Sequence, residues 1–530
     1  MNNQPDIFTV EILRQALASI AEEMSLVVMR AARSPLLREA GDHSSALTFL
    51  DGGVIAQGRD LPIHMGTMGF TVKEFLKYID VKELAPGDIW YLNLPEVGGN
   101  HLPDVKAIRP IFHGGELLAF AVSLAHWEDI GGASPGSYTA HATDVWQDGL
   151  RIPPTRFFVD DEPVTQTLNL LLANVRTPDI IRGDMFAQAA ATRVADGRLQ
   201  ALLDSHGAQT FKDAVAALNN ITEAQTREAI RALPNGVYAG EDRMDDIGPN
   251  GERVTVRVTV TIEHDSAIFD FSATDDAIKA PINATPYLAA TAAGFMIKAL
   301  ATQDIFHTDG FFRAVKVITR PGSLLQPPPH LPVVLGNHET SQRCADAIMK
   351  ALVPCVPDAL SAGGSASAAV LIFAGQWPDG RHWSFYETHS GGEGARLDRD
   401  GVASTKVNLA NVMTTPAEMV EAQYPIAVHR QALLPGSGGQ GGHSGGDGVV
   451  RAYEMLGDDT AFAAMLDRCE IAPYGLLGGA DGRPYVLKRV TVDGNASIIP
   501  GRGHYRLMKG EKIIIETCGG GGYGKPASSQ

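Results

Sequence analysis

The sequence predicts a multi-domain α+β protein, mostly β, with a long N-terminal amphipathic helix and further helical segments inserted between strands. Three observations predict this class. Apolar residues near the N-terminus recur at spacings of three and four, short alternating or wholly apolar runs recur through the middle, and the last third is punctuated by glycine. At 530 residues, 44% hydrophobic and 20% charged, the chain can bury several cores and lacks the composition of a disordered one.

Taken in order, the first element runs from Thr9 to about Ala32. Leu13, Leu17, Ile20, Met24, Val27, Val28 and Ala31 form its apolar stripe, and Glu11, Arg14, Glu22 and Glu23 fill the opposite face. Ser34-Pro35 stops it, because the residue before a proline resists the helical region. SSALTFL and GGVIAQ read as strands joined at Asp51-Gly52-Gly53, a hairpin signal. DIWYLNL (88–94) and LAFAVSLA (118–125) read as buried strands. The Ala-rich stretch 185–232 has helical period, and RVTVRVTVTIEHDSAIFDFSAT alternates as strand. Helices are expected over 287–302 and 340–352, with short strands beyond about 360. This divides the chain into an α+β metal-binding region (1–184), a helical segment (185–240), an α+β central region (241–360) and a Gly-rich, mostly β region (361–530).

Function classes narrow next. With 44 Lys+Arg against 61 Asp+Glu, the net charge of −17 argues against a general nucleic-acid binder, which needs a concentrated basic face. Four cysteines, Cys344, Cys355, Cys469 and Cys518, are too few and too scattered for a disulfide framework or a Cys-based zinc site. The opening MNNQPDIF has neither a basic nor an apolar leader region, and no long uncharged apolar run follows. The expectation is a cytoplasmic protein with no membrane partner.

The chemistry concentrates in two phrases. Gly98-Gly99-Asn100-His101-Leu102-Pro103-Asp104 follows a strand, and Pro103 excludes a helix interior, so His101 and Asp104 belong to a turn. The strand AVSLA then delivers His126 at its end, followed by Trp127-Glu128-Asp129-Ile130-Gly131-Gly132. Two imidazoles and a carboxylate are a usual donor set for Zn²⁺, Mn²⁺ or Fe²⁺. On the residues alone, hydrogen-bonded loop groups remain an equal reading. Asp42, in Gly41-Asp42-His43, adds a carboxylate at a strand start, and His64, in Pro62-Ile63-His64, a further imidazole. Cys344, at a helix start, offers a nucleophile whose pKa a helix dipole could lower, against the reading of a packing cysteine.

The phrases EAGDHSSAL, LPIHMGTM, GGNHLPDV, HWEDIGGASPGSYTAHATDVWQDGLRIPP, DFSATDDAIKAPIN, GNHETSQR, FYETHSGGEGA, TPAEMVEAQYP, PYGLLGG and GGGGYGKP, in this order, resemble the hydantoinase B/oxoprolinase family, shared by B subunits of ATP-dependent hydantoinases and by subunits of acetone and acetophenone carboxylases. The resemblance implies His101, Asp104 and His126 as ligands of a divalent metal, with Asp42 as a fourth. Asp129, Asp144 and Glu128 are candidates for supporting carboxylates, with Asp129 or Glu128 as general base and His64 near the pocket. Asn337, Glu339 and Arg343 match the family phrase without an assigned role. It also implies ATP-dependent opening of a cyclic amide (hydantoin, lactam or oxoproline-like ring), ketone carboxylation being the alternative and a purely structural metal a third reading.

The sequence departs from the family in three places. Near 406–411 the family pattern resembles H-x-H-M-T-N, whereas this chain has Lys406-Val407-Asn408-Leu409-Ala410-Asn411; Trp127 stands where a second histidine is common, and Cys518 replaces a proline. No G-x-x-x-x-G-K-[ST] phosphate cradle is present. The resemblance accordingly implies that ATP with Mg²⁺ is bound by a separate A-type subunit of actin/hexokinase-like fold, in a heterotetramer of two A and two B chains.

Overall fold

The computed structural model describes residues 5–245, 251, 253–301 and 304–526. The first element is α1 (Ile7–Ala31), capped by Asp6, whose carboxylate accepts from the Phe8 and Thr9 N–H groups. After the short α2 (Pro35–Arg38) come β1 (His43–Thr48), β2 (Val54–Gln57), α3 (Thr67–Tyr78), β3 (Ile89–Leu92), β4 (Asp104–His113), β5 (Glu116–His126), β6 (Thr155–Val159) and β7 (Glu162–Pro163). These strands make one sheet in the order β2-β1-β5-β4-β3-β6-β7. Then follow α4 (Thr165–Leu172), α5 (Pro178–His206) and α6 (Ala208–Arg231). One face of the sheet packs on α1, α5 and α6 through Leu17, Met24, Ala107, Ala121, Met185 and Leu199, and α3 covers the other through Val72, Phe75 and Phe120. The strands are buried on both faces, which is why they read as apolar runs.

A second sheet, β8 (Gly236–Arg243), β9 (Thr255–Glu263), β10 (Ser266–Asp270) and β11 (Val315–Ile318), is ordered β11-β10-β9-β8. Its core includes α7 (Pro286–Leu300) and α8 (Ser341–Leu352). The remainder supplies β12 (Val370–Gln376), β13 (His382–Thr388), α9 (Ala417–Gln423), β14 (Ile426–Leu434), β15 (Gly448–Met455), β16 (Thr460–Met465), β17 (Val486–Val490), β18 (Ala496–Ile498), β19 (Arg502–Leu507) and β20 (Lys512–Glu516). Sheets β13-β12-β16-β19 and β14-β15-β20-β17-β18 share a core of Phe373, Phe385, Tyr453, Leu487 and Ile513. The architecture is the multi-domain α+β fold expected. The borders expected at 184/185 and 240/241 fall inside α5 and β8, because α5 is one continuous helix whose apolar face completes the first sheet's core. No helix among the described residues is long and apolar enough to cross a membrane.

A buried ion network ties the second sheet to the C-terminal region. Arg468 Nη2 reaches Asp242 on β8 and Asp346 on α8, both at 2.7 Å. Arg343 Nη1 meets the same Asp242 carboxylate at 3.1 Å.

Candidate metal centre

The open end of the β4–β5 hairpin carries the site. Asp104 pairs with His126 across the ladder, so the two side chains are cross-strand neighbours. His101 lies one turn upstream, where its carbonyl accepts the Asp104 N–H at 3.1 Å. The His126 N–H donates to the Asp42 carbonyl at 3.1 Å, which sets the start of β1 beside the hairpin. One ligand atom from each of His101, Asp104 and His126 lies within 4.8 Å of the other two, and all three side chains are buried. His101 Nε2 stands 3.1 Å from Asp104 Oδ1, and His64 Nε2 lies 3.6 Å from Asp104 Oδ2. Asp42 is buried and lines a small cavity with His126.

Protonation follows from the surroundings. His101 Nδ1 is 2.9 Å from the Val334 carbonyl, so this nitrogen carries the proton and Nε2 presents a lone pair toward Asp104. Burial, then His101, push His126 down to about 3, and burial lowers His64; both are neutral at physiological pH. Burial, then Asp104, push Asp42 up. Both Asp104 oxygens and His126 Nδ1 are buried without a hydrogen-bond partner among the described residues. A buried carboxylate facing an imidazole lone pair is costly unless a cation lies between them. The donor set therefore fits a divalent cation, held by His101, Asp104 and His126 with Asp42 adjacent.

Beyond these residues, the structure overturns part of the sequence reading. Asp129 does not face the cluster. Its carboxylate accepts from the N–H groups of Gly131, Gly136 and Arg176 and pairs with the Arg176 guanidinium at 3.1 Å. It is consumed in holding a loop whose Gly131 and Gly132 adopt φ of 81° and 83°. Glu128 neighbours Asp184 and Thr177 instead, its carboxyl pushed up by burial and then by Asp184. Asp144 caps the turn Val145–Gln147. Neither Asp129 nor Glu128 lines the cavity at His126, so the expected general base comes from neither. Cys344 is fully buried in the second sheet's core, and burial pushes its thiol up, so it is no nucleophile.

Residues that the sequence reading missed complete the cavity. Tyr138 OH lies 3.2 Å from His126 Nε2 and 3.4 Å from Tyr386 OH. His338 Nδ1 is 3.1 Å from Glu339 Oε1, an oxygen that also accepts from Ser367 Oγ and the Ala368 N–H. That contact holds the His338 ring beside Glu339, whose carboxyl is pushed well up by burial and then by Asp467, and His338 Nε2 is buried in the cavity without a hydrogen-bond partner among the described residues. The signals were present in SPGSYTAHA, GNHETSQR and FYETHSGG, but only folding shows which of their polar residues turn inward.

The hydantoinase B/oxoprolinase family model matches residues 6–526, and the chain belongs to that family. It is 32% identical to an uncharacterized protein of Methanocaldococcus jannaschii, over 98% of this chain and 91% of the relative. The crystal structure of the ATP-dependent caprolactamase from Pseudomonas jessenii superposes with a TM-score of 0.91 at 27% identity, covering 99% of this chain and 92% of that one. A nucleotide-free acetone carboxylase structure shares the fold at a TM-score of 0.91 and 17% identity, over 99% and 76% of the two chains. The 5-oxoprolinase of Dictyostelium discoideum is 29% identical over 99% of this chain, which spans only 41% of that relative's length.

Proposed function

We propose that this chain is the metal-dependent B subunit of an ATP-dependent cyclic-amide hydrolase, opening a hydantoin, lactam or oxoproline-like ring after an A-type subunit has phosphorylated it. The observation that carries this reading is the buried His101–Asp104–His126 donor set, in a family whose named members include a caprolactamase, oxoprolinases and hydantoinase subunits. An unactivated lactam resists water because resonance stabilises it; phosphate on its oxygen makes the ring carbon electrophilic. A Zn²⁺, Mn²⁺ or Fe²⁺ ion at the cluster would supply Lewis-acid activation of water near neutral pH.

The chain's own residues do the rest. His338, lowered by burial and then by the neighbouring His101, takes a proton only from a water that a bound cation would acidify, as that water's oxygen adds to the ring carbon. That proton and the one left on the added hydroxyl pass to the ring nitrogen as the C–N bond breaks and the C=O forms, leaving an amine and an acyl phosphate. A second water attacks that carbonyl in the same place and releases inorganic phosphate. Tyr138 and Tyr386, pushed well above the ordinary phenol range by burial, stay protonated and donate to oxygen that gains charge. Leu61, Ile63, Leu409 and Val412 wall the cavity and limit bulk water.

Coexpression with the neighbouring A-type chain, followed by assays with ATP across hydantoins, lactams and ketones, tests the proposal. ADP release coupled to a ring-opened product is expected from a heterotetramer, with this subunit alone inactive. Substrate-dependent fixation of labelled bicarbonate would instead establish the carboxylase reading, which the shared fold of acetone carboxylase keeps in view.

A further inference from the structure

The departure at 406–411 places a cation where the family pattern has a histidine. The stem of Lys406 is half-buried, but Nζ is buried and has no hydrogen-bond partner among the described residues. The carboxyls that act on it are, in order of effect, Glu387, Glu339 and Asp42; Glu387 is committed elsewhere, and Glu339 through one oxygen, its Oε2 being buried without a hydrogen-bond partner among the described residues. Glu387 accepts from Tyr453 OH and the Thr415 N–H and lies 3.3 Å from Arg451, and Glu339 is taken by His338, Ser367 and Ala368. Around the same cavity, Asn337 Oδ1, Gln342 Oε1 and Thr388 Oγ1 are likewise buried and unpaired. A group of unpartnered polar atoms converging on one space is the signature of a ligand site, since each costs free energy while unsatisfied.

Position adds a second constraint. Among the described residues, Lys406 alone lines both the metal-side cavity and a larger cleft that also carries Arg396 and Asn408. The cavity measures ≈ 40 Å³ and the cleft ≈ 230 Å³. At roughly 10–15 Å³ per water the smaller space holds about three water-sized atoms, the number of terminal oxygens on a phosphoryl group.

We propose that Lys406 Nζ anchors an oxyanion site beside the metal centre, binding the terminal oxygens of the phosphoryl group on the activated substrate or of a carboxylate that the substrate carries. Thr388 Oγ1 donates to the anion, and Asn337 and Gln342, whose unpaired oxygens only accept, join it by turning their amide NH₂ groups inward, which takes Asn337 Nδ2 from His101 Nε2. Burial lowers Lys406 to about 7, and an incoming anion favours its charged form. The inference rests on the hydrolase reading for its substrate, but its test involves no turnover, so the two fail separately.

The test titrates inorganic phosphate, and in a separate arm acetate, into the full chain loaded with its divalent cation, with heat as the readout. Wild-type protein is expected to bind, Lys406→Gln to weaken binding by about tenfold or more, and Lys406→Arg to restore most of it. Unchanged cation content and melting temperature establish that each variant is folded. Tighter binding of phosphate identifies the phosphoryl group as the natural occupant, and tighter binding of acetate identifies a substrate carboxylate. Should Lys406→Gln not fold, protection of wild-type Lys406 by phosphate against a lysine-selective reagent, read by mass spectrometry, replaces it. Uptake of neither probe by wild type, undiminished binding by Lys406→Gln, or absence of protection overturns the proposal.

Discussion

At the scale of single residues, His126 tests what the proposed cation would be for. It ends β5 and packs its ring 5.1 Å from that of His101, but the hairpin beneath it is held by a ladder from Asp104 to His113 that does not need the side chain. His126→Ala is expected to keep its circular dichroism and lower affinity for the divalent cation by more than about tenfold; loss of the fold would mark the ion as structural. His338→Ala removes the base and is expected to cut turnover by about 10²–10⁴ with cation content unchanged. The meeting of His101, Asp104 and His126 was legible because Pro103 confines His101 and Asp104 to a turn and a strand ends at His126. The place of His338 in the cavity was not. Asp129 and Glu128 follow His126 directly, yet the Gly131–Gly132 turn bends their carboxylates away, while His338 arrives from more than two hundred residues downstream.

At the scale of elements, the segment Gly336–Thr340 that presents His338 is a wide helical turn leading into α8. A β-carbon at Gly336 would sit 1.9 Å from the Asn283 carbonyl oxygen, a clash with backbone that no rotamer relieves. Gly336→Ala is therefore expected to displace Asn337 and His338 together, losing turnover and lowering the melting temperature by several degrees. Asp346 on α8 is shared by Arg468 and Arg343. Asp346→Ala leaves Asp242 as the carboxylate shared by both buried guanidiniums, for a cost of about 3 kcal/mol by urea denaturation. The long helices and the alternating β9–β10 pair were readable from periodicity alone. The network was not, because Asp242, Arg343, Asp346 and Arg468 meet only when two regions dock.

At the scale of the whole molecule, buried neutral histidines set the acid limit. His389 lies between the Ala369 carbonyl and Tyr453 OH, and His307 reaches the Met65 carbonyl; burial lowers both to about 3 from an ordinary 6.5. Below 6.5 the unfolded chain takes up protons that the folded chain refuses. Stability present above that pH is thus lost as pH falls toward 3, by about 3 kcal/mol per histidine two units below the ordinary value. Buried carboxyls such as Asp148, pushed up to about 8 by burial, gain stability over the same range, so the test is comparative: the urea midpoint of His307→Gln is expected to fall less between pH 7 and 4.5 than that of the wild type, and parallel profiles would contradict the neutral state of His307. Docking between sheets left no periodic trace in the sequence, so the expected borders missed where the cores join.

The donor atoms of His101, Asp104 and His126 all come from one hairpin and its flanking turn, whereas Tyr386, Lys406 and His338 are contributed by distant stretches of chain. Anchorage and selectivity are thus separately heritable: an ancestor could exchange the far stretches and acquire a new appetite while its anchor stayed untouched.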